Sequence, residues 1–138
     1  MEKPEPVEGG CLCGGTRYRV TGEPFKTSYC HCDWCRKSSS APIQAWLLFE
    51  AGQVDFIKGK LQKYASSPGV LRGFCPVCGT SLWWEGVWHD APVHMVTICS
   101  LDNPGRFPPD RHASCSEQLD WFEVADDLPR YQHSSPKD

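Results

Sequence analysis

The chain has 138 residues, is 40% hydrophobic and 22% charged, and carries a formal net charge of −3. That length suits one domain with a modest core, in which extra cross-links help. An acidic chain without a basic run argues against binding nucleic acid through phosphates, and the longest apolar run, AWLLF, falls far short of the roughly 18 residues a membrane span needs.

The N-terminal stretch MEKPEPVEGG has no apolar core segment of the kind a secretory signal carries, so a cytoplasmic location is expected. Residues 1–8 are rich in Pro and Glu, and QHSSPKD at 132–138 lacks an apolar pattern. Both are expected to be flexible tails on a single domain spanning 9–131. In TRYRV, Tyr18 and Val20 fall on one side and Arg17 and Arg19 on the other, the alternation of a strand. IQAWLLF is rich in aromatic and branched residues, and QVDFI alternates again. VLRGF and SLWWE flank CPVCG, which predicts two strands joined by a metal knuckle. VHMVTI predicts a further strand, with Cys99 just after it as a small buried residue. Twelve glycines and twelve prolines break these runs at short intervals, as in small all-β folds. No segment sustains a 3.6-residue period. A single helical turn is expected just after Cys35 or near the C-terminus. Trp46, Trp83 and Trp84 are expected in the core, and Trp34 sits inside a cysteine loop that it shields or lines. His89, His94 and His133 suit surface or edge positions.

Nine cysteines need a reason. An odd number, clustered in short motifs, is not a secreted disulfide framework, and in a reducing cytosol such clusters read as metal ligands or redox groups. In CPVCG, Cys75 and Cys78 are spaced to hold one metal, with a glycine for the tight turn. In GGCLCGG, Cys11 and Cys13 point the same way in extended chain. Together the four make a closed tetrahedral thiolate site, the form of a structural zinc. CHCDWC then offers Cys30, Cys32 and Cys35, three ligands with one exchangeable position, which is the pattern of catalytic zinc. Spacing alone leaves other partitions open. A member of the CHCDWC trio can share the knuckle's metal, and His31, His112 or Cys115 can supply a fourth ligand.

The segments GGCLCGGTRYRVTGEP, YCHCDWCRKSSSAP, YASSPGVLRGFCPVCGTSLWW and SLDNP…PPDRH…DDLPRY occur in this order. Together they resemble the glutathione-dependent formaldehyde-activating enzyme (GFA) family, also called the centromere-protein-V family, from about Gly9 to Tyr131. The resemblance implies an all-β fold of small zinc-stapled antiparallel sheets, similar to methionine sulfoxide reductase B. It implies two zincs per chain: a structural one on Cys11, Cys13, Cys75 and Cys78, and a catalytic one on Cys30, Cys32 and Cys35. It implies carbon–sulfur lyase activity, such as forming S-hydroxymethylglutathione from a small thiol, glutathione, and formaldehyde.

That chemistry suits an open thiolate site. A free thiol is mostly protonated at neutral pH, whereas a thiol on zinc is deprotonated. Three protein thiolates make an electron-rich zinc, so nearby donors are needed, and Arg36, Ser38, Ser39, His31 and Arg72 are the candidates, with Arg36 and Ser39 marked as catalytic. The chain departs from the family pattern at Ser40, where a glycine is expected, and at Cys99, where a small residue is usual; both positions are expected near the pocket. The competing reading is a non-catalytic zinc-binding protein-interaction module, which a fourth protein ligand on the Cys30 centre would favour.

Overall fold

The computed structural model describes residues 6–136, so the expected tail residues 1–5 and 137–138 lie outside the described residues. In chain order the elements are β1 (Val7–Gly10), β2 (Arg17–Val20), β3 (Lys26–Cys30), helix α1 (Asp33–Ser39), β4 (Gln44–Glu50), β5 (Val54–Lys58), β6 (Gln62–Ser67), β7 (Val70–Phe74), β8 (Ser81–Trp88), β9 (Ala91–Thr97) and β10 (His112–Ala113). The fold is mostly β, as expected. One sheet has the order β1-β2-β5, and the other β10-β3-β4-β9-β8-β7-β6. Neighbouring strands are antiparallel except β10, which runs parallel to β3. No helix among the described residues is long and apolar enough to cross a membrane.

Strand β4 explains where the core and the site lie. Its run Trp46–Phe49 is buried throughout, because it sits inside the large sheet and both its faces are covered. Leu47 and Phe49 face the main core with Tyr18, Leu82, Val96 and Ile98. Trp46 and Leu48 face the other way and pack with Cys35, Val93 and the side chains of Cys30, Cys32, Trp84 and Trp88. Alternation along one strand thus serves two clusters. Each buried large apolar side chain contributes roughly 1.5–3 kcal/mol. The small sheet docks through Tyr18, which is fully buried and shares a 2.6 Å hydrogen bond with Ser100 Oγ. Gly9 lies against it so closely that an added Cβ would sit 2.4 Å from the Tyr18 hydroxyl.

Some expectations need correction. Val7 and Glu8, assigned to the tail, pair with Val20 and Arg19 in β1–β2. At the other end, the carbonyls of Gln132 and His133 accept from Ser116 N and Ser114 N, and Ser135 is buried. The N-terminal stretch pairs its backbone in β1 and buries Val7 in the main core, whereas the polar C-terminal stretch is held by backbone hydrogen bonds. Cys99 is exposed rather than buried. The alternation of β9 ends at Thr97, and the 3-10 turn Ile98–Ser100 turns Ile98 inward and Cys99 outward.

Candidate metal centres

The first centre joins the end of β1 to the β7–β8 connection. Cys11 N–H donates to Thr16 O at 3.0 Å, closing the turn that carries Cys13, while Cys75 N donates to Thr80 O and Gly79 N to Cys75 O. The four sulfurs of Cys11, Cys13, Cys75 and Cys78 lie within 4.8 Å of one another. Cys13 Sγ is 3.5 Å from Cys11 Sγ and 3.8 Å from Cys75 Sγ. A tetrahedral zinc with Zn–S bonds of about 2.3 Å separates its sulfurs by about 3.8 Å, so the donors fit that ion. Backbone donors surround the sulfurs: Thr16 N reaches Cys11 Sγ, and Val77 N and Cys78 N reach Cys75 Sγ. The Thr80 hydroxyl and N–H hold the Cys78 thiol down at about 5. These contacts favour thiolates, the form in which cysteine binds metal.

The second centre is local. Cys30 ends β3, Cys32 caps the N-terminus of α1, and Cys35 sits in its first turn, donating its N–H to Cys32 Sγ at 3.3 Å. The three sulfurs again lie within 4.8 Å of one another. They open on a cavity of about 250 Å³ whose walls include Trp46, Leu48, Trp84, Trp88 and Met95. The thiols of Cys30 and Cys32, helped by Arg72 and opposed by burial, pull Cys35 down to about 3, whereas the Cys32 and Cys35 sulfurs push Cys30 far upward. Three partly to fully buried sulfurs this close resist ionising together without a cation, and a divalent metal among them would remove that conflict.

The structure also locates the candidates for a fourth ligand. His31 is buried and turned away from the sulfurs toward His112, with its Nε2 2.9 Å from His112 Nδ1, and His112 Nε2 is 2.9 Å from Asp126 Oδ2. Cys115 Sγ reaches the His112 carbonyl at 3.8 Å and belongs to neither sulfur cluster. None of His31, His112 and Cys115 therefore joins the three cysteines.

Arg36 and Ser39, marked as catalytic candidates, make backbone contacts. Arg36 Nε donates to His31 O at 3.1 Å and Nη2 to Glu117 O at 3.2 Å, clamping the ligand loop. Ser39 Oγ donates to Cys35 O at 2.7 Å. Neither lines the sulfur cavity. Arg72 does line it, with Nη1 and Nη2 each 3.9 Å from Cys35 Sγ. Arg72 also borders an open groove of about 760 Å³ shared with Trp34, Lys37, Ser38, Tyr64 and Phe74.

Several residues around the cavity had no part in the sequence reading. Lys26 and Ser28 share the Cys30 face of β3, which counting back by two from Cys30 would have found. Ser134 and Ser135 also border the cavity, and Trp88 Nε1 donates to Ser134 Oγ at 3.0 Å. Nothing local in the sequence marks those.

Residues 6–117 match the family described as glutathione-dependent formaldehyde-activating enzyme. A Schizosaccharomyces pombe protein named as an uncharacterized lyase is 38% identical over 77 residues, which is 56% of this chain and 56% of that one. The chain thus spans about half the length of that curated relative. A Rhodobacter sphaeroides protein of known crystal structure superposes with a TM-score of 0.59 at 18% identity, covering 74% of this chain and 97% of that one, a likeness of fold.

Proposed function

This chain belongs to the glutathione-dependent formaldehyde-activating enzyme family, and we propose that it is a zinc-dependent carbon–sulfur lyase that forms or cleaves an adduct between a small thiol and a carbon electrophile. The observation that carries this reading is the second centre: three sulfurs on the wall of a cavity, with His31, His112 and Cys115 engaged elsewhere. The all-sulfur donor sets of both centres favour zinc over harder cations. Cys11, Cys13, Cys75 and Cys78 would hold a structural zinc, and Cys30, Cys32 and Cys35 a catalytic one.

A zinc held by Cys30, Cys32 and Cys35 would supply the ionisation of an incoming thiol and a fixed place for its sulfur. The chain's own residues do the rest. Trp46, Trp84, Trp88 and Met95 form apolar walls that limit water around the reacting atoms. The cavity is small enough to hold a few-atom electrophile and the end of a thiol, while the groove beyond Arg72 has room for the body of a tripeptide thiol such as glutathione. With formaldehyde as electrophile, the thiol sulfur bonds to the carbonyl carbon, the C=O π pair moves to oxygen, and the proton released by the thiol ends on that oxygen. The product is S-hydroxymethylglutathione. The reverse reaction breaks the same C–S bond. A non-catalytic module would need a fourth protein ligand on this centre, and His31, His112 and Cys115 are committed to other contacts.

The test pairs metal content with turnover. Protein purified without chelator is expected to carry two zincs per chain, and Cys30→Ser one. Exchange between glutathione, formaldehyde and their adduct, followed by NMR, is expected to lose its enzyme-dependent rate in Cys30→Ser by at least about 100-fold. Catalysis surviving in a variant that holds one zinc would sink the reading.

A further inference from the structure

Arg72 is placed oddly for a strand residue. It lies on β7 opposite Trp84, yet none of the ion pairs among the described residues includes it. Its Nε is buried and has no hydrogen-bond partner among the described residues. Its two terminal nitrogens divide themselves equally over Cys35 Sγ at 3.9 Å each, and Nη1 also donates to Ser38 Oγ at 3.2 Å. A guanidinium cannot shed its proton, so a partly buried one needs an anion close by. The anion on offer is sulfur.

Charge shows why that matters. Three thiolates around one divalent zinc leave one net negative charge, and a fourth thiolate leaves two. Inside walls of Trp46, Leu48, Trp84 and Met95 such charge is poorly solvated. A four-thiolate centre closed by the protein can rely on many backbone donors, as the Cys11 centre does. Among the described residues the Cys30 centre has one backbone donor to sulfur, Cys35 N to Cys32 Sγ. Lys26 lines the same cavity, with its ammonium engaged by the Pro136 carbonyl and held over the Trp88 ring. Arg72 is the cation in direct contact with a ligand sulfur.

We propose that Arg72 is the positioning residue that lets the three-cysteine centre accept an exogenous thiolate, by compensating the charge that the fourth sulfur brings. This role rests on the function proposed above. It also explains why Arg72 stands between cavity and groove: a thiol entering from the groove passes it.

The test uses the full chain loaded with cobalt(II), whose sulfur-to-metal charge-transfer absorption reports each sulfur that binds. The probe is 2-mercaptoethanol, which has no charge besides its thiolate, and imidazole is the neutral control for the same position. Arg72→Met is expected to weaken 2-mercaptoethanol binding by about 10- to 100-fold while changing imidazole binding by less than about threefold. Arg72→Lys, which keeps the charge, is expected to recover most of the loss. Unchanged thiol affinity in Arg72→Met overturns the proposal. So does a parallel loss of thiol and imidazole binding, or of the metal itself, that Arg72→Lys fails to rescue, because that pattern belongs to a support for α1 through Ser38. Wild-type protein that holds cobalt at both centres but binds no thiol overturns the proposed function, and this role with it.

Discussion

Ser40 occupies a conformation that its side chain resists. It caps α1 with φ 52° and ψ 43°, the left-handed region in which Cβ crowds the backbone. Resemblance to the family led the sequence reading to expect glycine here, and the backbone gives the reason: only glycine adopts this shape without penalty. Ser40→Gly is expected to raise unfolding stability by about 0.5–1 kcal/mol, measured by urea denaturation with an unchanged m-value. Activity should be unaffected, because Ser40 borders Ala41, Pro42, Leu119 and Trp121 and not the sulfur cavity. A loss of stability would show that the serine makes a compensating contact. His94 carries a cost of a different kind, an unpartnered buried nitrogen. It packs on Trp83 with ring centroids 4.7 Å apart, and its Nδ1 is buried without a partner among the described residues. Burial holds it below the ordinary histidine range, although Glu85 pulls the other way. The unfolded chain takes up this proton near pH 6.5 and the folded chain only at lower pH. The unfolded state therefore binds more protons in that window, and stability falls as pH drops below about 6.5. Subtracting the stability–pH curve of His94→Gln from that of wild type should reveal this slope. Parallel curves would show that His94 contributes nothing to it.

At the scale of elements, the ligand loop is held by a buried chain of polar groups from β3 to the segment after β10. His31 separates two ligand cysteines, its carbonyl accepts from Arg36, and its ring meets His112, which Asp126 orients. His112→Ala would leave both His31 ring nitrogens without partners among the described residues, since Nδ1 already has none there. The expected cost is about 2–4 kcal/mol, with zinc lost from the Cys30 centre before the Cys11 centre. Denaturation and metal retention under dilute chelator check both. A variant losing less than about 1 kcal/mol and keeping both zincs would reduce the chain to incidental packing. This chain also shows how far the sequence could be read. β4 was visible because its apolar residues are contiguous, and the two flanks of CPVCG because they are branched and aromatic. β3 was not, because KTSYC turns Lys26 inward and so breaks the apolar code for a buried face. β1 hid behind two glycines, and β6 is an exposed edge strand with no buried face along most of its length. The two sulfur clusters were legible because each set is close in sequence or built of tight pairs. The cavity walls were not, because Trp46, Trp84, Met95 and Ser134 meet only through pairing of β4, β9 and β8 and the return of the chain end.

Across the whole molecule the two centres bear unequal structural loads. Cys13 and Cys75 are 62 residues apart, and a metal held between them would tie the small sheet to the turn between β7 and β8. Closing so long a loop removes much freedom from the unfolded chain, roughly 4 kcal/mol in a cross-link model. The Cys30 centre closes a loop within a single strand end and helix turn, where β3 and α1 already hold the chain. Its metal should therefore add stability mainly by quieting three crowded sulfurs. Cys75→Ser is expected to lower unfolding stability by at least about 3 kcal/mol, or to prevent folding at 37 °C, as loss of a long-range staple does in small domains. Cys35→Ser is expected to cost about half of that or less, because partnered sulfurs are lost but no long loop opens. Thermal unfolding of both variants, with and without added zinc, decides the order. If Cys35→Ser proved the more damaging, the small sheet would be held chiefly by the packing of Val7, Tyr18, Val20 and Val54 and by the Arg17–Asp102 pair, with the four-cysteine centre adding little to the fold.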